Sequence, residues 1–127
     1  MIAIEETTKD VETALADLKA AVTDRGYSVL YEYDMQATLQ GKGLEFGNAC
    51  HILEVCNPTH AAAVLGHDMR ISLALPCRVC VYEDGGKTII GTLKPAALIG
   101  AFSDDEALQE IAMHVQVDIL GMVHDAV

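Results

Sequence analysis

The residues best able to do chemistry in this chain are two cysteines that sit beside prolines. Cys56 closes the apolar stretch ILEVC and is followed by Asn57-Pro58 and a run of alanines; Cys77 follows Leu75-Pro76 in LPCRVC. Asparagine is a favoured N-cap, and proline fits the first helical position because no N–H is needed there. Cys56 is therefore expected just before a helix N-terminus. Free N–H groups and the positive end of the helix dipole favour negative charge at such a place, and with it the thiolate form of a cysteine. A plainer reading stands beside this one. Asn-Pro is simply a good way to begin a helix, and cysteine is among the most commonly buried residues.

Cys77 and Cys80 form a Cys-x-x-Cys spacing, but CRVCVYE reads as a strand, which puts the two on opposite faces. No second Cys or His pair at zinc-knuckle spacing accompanies them. The more informative pair is Cys56 with Cys77, if neighbouring strands bring them together. Two thiols with Glu54, His51 or His60 could hold a soft metal such as Zn or Cu(I). They could equally form a reversible disulfide or carry sulfur as a persulfide. His60 reaches a shared ligand only if the helix starts early, and most histidines so placed face solvent. Strand alternation would put Glu54 on the same face as Cys56. The ligand-binding residues expected from sequence are thus Cys56, Cys77, Glu54 and Asn57, with Cys56, Cys77 and, more weakly, His60 as metal ligands.

The totals bound what such a site can serve. The chain has 127 residues, half of them hydrophobic, and carries a net charge of −11 from 8 basic and 19 acidic residues. That is one domain's worth, with enough apolar mass for a core. No Lys/Arg cluster exists to grip phosphates, so neither nucleic acid nor an anionic membrane is an expected partner. The start, MIAIEETTKD, lacks a basic region followed by an apolar one, and no apolar stretch is long enough to span a bilayer. A cytoplasmic location with reduced cysteines is the expectation. No GxxxxGK[ST], GxSxG or HExxH pattern is present.

The elements that must position the cysteines follow from periodicity. Ile2 to Ile4 reads as a short strand. Val11, Leu15, Leu18 and Val22 make an amphipathic helix, capped by Thr7 or Thr8 and stopped by Gly26. Tyr27 onward alternates as a strand, and residues 36–43 form a short helix or loop. A strand then runs from about Glu45 through Cys56, with a helix from Asn57 to Leu65. ISLALP is a short apolar segment. CRVCVYE and TIIGTL flank DGGK, an Asp-Gly hairpin signal. Ser103 to His124 is the last helix, opening on a capping box in which Ser103 caps and Glu106 reaches back. The order β-α-β-(α)-β-α-β-β-α predicts a single α+β two-layer domain, a mixed and mainly antiparallel sheet with helices packed on it.

These motifs carry a resemblance. Phe46, then ILEVCNP with Ala61, then LALPCRVCVYEDGGKTIIGTLKP resembles the DUF302 family, a domain of unknown function. The resemblance extends to the N-terminal helix, to Gly26-Tyr27 and to Asp34 closing the next strand. The last helix extends past the segment matched this way. It implies a compact α/β domain, pairing into homodimers, in a small cytoplasmic protein. It implies no activity, cofactor or catalytic residue. Two functions remain: a dimeric thiol-based binding protein using Cys56 and Cys77, or a non-catalytic ligand-binding or protein-interaction domain with cysteines as core filler. An enzyme using acidic residues such as Asp34 and Glu54 is a third reading, without a paired-carboxylate spacing to support it.

Overall fold

A computed structural model describes residues 1–127 as a two-layer α+β domain. The elements are β1 (Ile2–Thr7), α1 (Val11–Asp24), β2 (Ser28–Asp34), α2 (Met35–Gly41), β3 (Cys50–Cys56) and α3 (Pro58–His67). A 3-10 segment (Met69–Ala74), β4 (Cys77–Asp84), β5 (Lys87–Leu93), α4 (Pro95–Gly100) and α5 (Glu106–Ala126) complete the chain. The five strands lie in the order β1-β5-β4-β3-β2. All four pairings are antiparallel.

Alternation divides the sheet into two unlike faces. Leu53, Val55, Val79, Val81 and Ile90 point to one side and are 0–1 % exposed. They meet Ala14, Leu18 and Val22 of α1 and Ile119, Met122 and Val123 of α5 in the main core. A second, smaller core around Val64, Ile71, Ile99 and Leu108 joins α3, the 3-10 segment, α4 and the start of α5. The other face has no helix over it. Ile2, Ile4, Tyr31 and Leu93 are 66, 56, 64 and 47 % exposed.

Three local readings are corrected. Asp10, not Thr7 or Thr8, caps α1, accepting from the Thr13 N–H at 2.7 Å. Asp105, not Ser103, caps α5, accepting from the Leu108 N–H, while Ser103 Oγ accepts from the Asp105 N–H. In each case an aspartate nearer the first helical turn reaches the orphan donors that the earlier hydroxyl cannot. β3 starts at Cys50 rather than near Glu45. Gln36 and Gln40 of α2 donate to the carbonyls of Gly47 and Phe46 and hold that segment as a loop. The Asp84-to-Lys87 hairpin is as expected. Gly85 and Gly86 take φ of 58° and 78°, the left-handed conformation a two-residue turn of this kind requires.

Candidate functional site

Cys56 and Cys77 line one site. Both line an apolar cavity of about 320 Å³ between the ends of β3 and β4, α3, α4 and α5. Val64 and Leu65 of α3, Ile99 of α4 and Val115 of α5 supply apolar wall. Antiparallel register places them there: Cys77, the first residue of β4, pairs with Val55, the residue before Cys56. As the last residue of its strand, Cys56 sits where the chain turns into α3, so alternation no longer governs its side chain. Both cysteines are free and partly exposed.

The start of α3 forms as Asn57-Pro58 predicts. Asn57 Oδ1 accepts from the His60 N–H at 3.2 Å, and the Asn57 carbonyl accepts from the Ala61 N–H at 2.9 Å. Pro58 has no N–H. Thr59 is then the one N–H of that turn without a partner inside the helix. The helix start is largely satisfied by its own cap and has little left with which to hold an anion.

Tyr27 also lines the cavity and is 4 % exposed. Its hydroxyl donates to Asp118 Oδ2 at 2.9 Å, and its ring lies 6.4 Å from that of His60. Burial, with the Asp118 carboxylate adding to it, raises the Tyr27 phenol above its ordinary range. Burial likewise pushes the Cys77 thiol up to about 11, with Cys56 adding to the effect, so Cys77 is a neutral thiol near pH 7. The alternation from Tyr27 onward marks it only as part of a strand, and β2 itself starts at Ser28. The Tyr27 partner, Asp118, is 91 residues away, and no local pattern joins them.

The other expected site residues divide. Asn57 and His60 line the cavity. Glu54 does not. It points to the open sheet face, opposite Arg78 and beside the Tyr33 hydroxyl, whose pKa its carboxylate raises. Strand alternation does place Glu54 away from the core, but Cys56 leaves that face at the strand end. His51 lies on the helix-covered face, 3.8 Å from Glu32. Asp34 caps α2, accepting from the Ala37 N–H. No three His, Cys, Asp or Glu side chains gather closely enough to hold a metal ion. A zinc site needs three or four such donors, so Cys56, Cys77 and His60 do not build one within a chain.

The other two cysteines belong to the open face. Cys80 pairs with Ile52, two residues from Cys50, making Cys50 and Cys80 diagonal neighbours there. Burial raises the Cys80 thiol to about 11, and burial raises Cys50 as well.

A protein-family model for domain of unknown function DUF302 matches residues 3–126, taking in every element from β1 to α5. The chain belongs to the DUF302 family. The DUF302 match includes the last helix, whose Ile119, Met122 and Val123 help close the core. A solved structure described as an uncharacterized conserved protein DUF302 from Bacillus stearothermophilus is similar throughout. It is 32 % identical, with a TM-score of 0.93 over 99 % of this chain and 98 % of that one. No curated protein matches this DUF302 chain. No helix of it is long and apolar enough to cross a membrane.

Proposed function

We propose that this protein binds a compact, largely apolar small molecule and presents two thiols to it. The convergence of Cys56 and Cys77 on one apolar cavity carries the reading. A volume of about 320 Å³ lies at the lower end of the range typical of small-molecule sites. Apolar walls supply affinity, and the few polar groups, Cys56, Asn57, His60 and Tyr27, supply orientation. Four free thiols suit a reducing compartment, and the cytoplasm fits that requirement.

The neutral fluorescent probe N-phenyl-1-naphthylamine tests this. Saturable binding to the reduced protein is expected, and Ala61→Trp, which fills the cavity from α3, should weaken it at least about tenfold, or ~1.4 kcal/mol. Ala61 is only partly buried, so the larger side chain need not disturb the core. No saturable binding by the parent protein, or equal binding by the variant, would sink the reading.

The open sheet face supports a second copy as partner. Besides Ile2, Ile4, Tyr31 and Leu93 it carries Tyr33, which stacks on Tyr31 at 5.4 Å. Gly91 keeps the face flat where it packs under Ile4, since a Cβ there would collide with the Ile4 side chain. The face carries Arg78 and Lys87 against Glu6, Glu54 and Asp84, so it largely escapes the chain's net charge of −11. Five strands about 4.8 Å apart and about six residues long give roughly 500 Å² per copy. Doubled, that reaches the roughly 1,000 Å² a specific interface needs. Pairing of two copies through this face is expected to be weakened at least about tenfold by Ile4→Glu. Light scattering coupled to size exclusion checks this; a monomer at every concentration would overturn it.

A further inference from the structure

We propose that the cavity performs thiol–disulfide exchange on small apolar disulfides, with Cys56 as attacking thiol and Cys77 as resolving thiol. This rests on the ligand-binding reading above and adds the class of substrate and the reaction. The geometry is the pairing of Cys77 with Val55, the neighbour of Cys56. Directly opposed residues of an antiparallel pair have Cα atoms about 4.5–5.5 Å apart, and an offset of one residue along the strand brings the separation to roughly 6 Å, within the span of a disulfide. Both side chains line the same cavity, and Cys56 is near enough to Cys77 to act on its thiol.

The two cysteines differ in the way exchange requires. Cys56 is the last residue of β3, where the chain turns into α3 and its side chain faces the cavity. Cys77 packs against the main core, and burial raises its thiol. The Cys56 thiolate attacks one sulfur of R–S–S–R. The S–S bond breaks, R–S⁻ departs and takes the Cys77 proton. Cys77 then attacks Cys56 Sγ, and the second R–S⁻ leaves and is protonated by water. The two cysteines are oxidised to one disulfide as R–S–S–R is reduced to two R–SH. A free thiol such as R–SH in excess reverses the process.

The chemistry of the wall selects the substrate. No Lys or Arg lines the cavity, and the chain is strongly acidic, so anionic disulfides are disfavoured. Apolar alkyl groups gain about fourfold in binding for each CH₂ buried.

The experiment mixes the reduced full-length protein with dipropyl disulfide or with bis(2-hydroxyethyl) disulfide, both neutral, and follows intact mass and peptide maps. The parent protein should lose two hydrogens and link Cys56 to Cys77. Cys77→Ala and Cys77→Ser should each stop at a propylthio adduct on Cys56. Dipropyl disulfide should react at least about tenfold faster than the hydroxyethyl compound, the discrimination an apolar pocket gives. Ala61→Trp should abolish that preference. A lasting adduct on Cys56 of the parent, a Cys50–Cys80 link in its place, or equal rates for the two disulfides would overturn the proposal. Binding of N-phenyl-1-naphthylamine separates the two failures. If the probe binds and exchange fails, only the exchange is wrong; if neither occurs, the ligand-binding reading falls with it.

Discussion

Replacing Ile119 with alanine should destabilise the protein by roughly 3 kcal/mol, measured by denaturant unfolding. Ile119 is 0 % exposed and lies in the core where α5 packs against α1 and the sheet. Removing three buried carbons forfeits about 2.4 kcal/mol of transfer free energy. The cavity left behind adds to this, because its walls relax only in part. Alanine's better helix propensity returns about 0.4 kcal/mol. Val117, two residues earlier and 62 % exposed, is the control. Val117→Ala should change stability by no more than about 0.5 kcal/mol. Equal effects at both positions would contradict the placement of the core.

Stability should also fall steeply as pH rises from about 9 to about 11. Burial lifts Cys77 and Cys80 from 9.0 to about 11 in the folded protein. In the unfolded chain these thiols ionise first, near 9, so above that pH the unfolded state holds fewer protons and gains on the folded one. The stabilisation is therefore whole below pH 9 and lost by about pH 11. Two pKa units at Cys77 correspond to roughly 3 kcal/mol. Cys80 contributes less, because it is more exposed and solvent screens it. Tyr27, raised by burial and by Asp118, carries the decline further above pH 10. Unfolding curves at pH 8 and pH 11 under reducing conditions measure the difference, and Cys77→Ala should remove about half of it. A flat profile would mean that Cys77 is not buried as a neutral thiol.

Local sequence carried much of the architecture because its signals act over a few residues. Asn57-Pro58 starts α3 through a cap three residues long. Asp84-Gly85-Gly86-Lys87 turns a hairpin because glycine reaches positive φ without strain. The stripe Leu108, Ile111, Val115, Ile119 and Met122 faces inward at helical spacing, all buried but the half-buried Ile111. The capping aspartates were less legible. Several Ser, Thr and Asp residues crowd each helix start, and only backbone geometry decides which one reaches the free N–H.

The candidate site divides along the same line. Sequence by itself singled out Cys56 and Cys77, the helix beginning at Asn57-Pro58 and the strand beginning after Pro76. Only the tertiary structure decided that the two cysteines share a cavity, that Glu54 faces the other side of the sheet, and that Tyr27 lines the cavity with its hydroxyl held by Asp118. Those facts depend on which strand pairs with which and in what register. That choice is made by burying Leu53, Val55, Val79 and Ile90 together under α1 and α5. Burial of this kind is non-directional and collective, so no short stretch of chain encodes it.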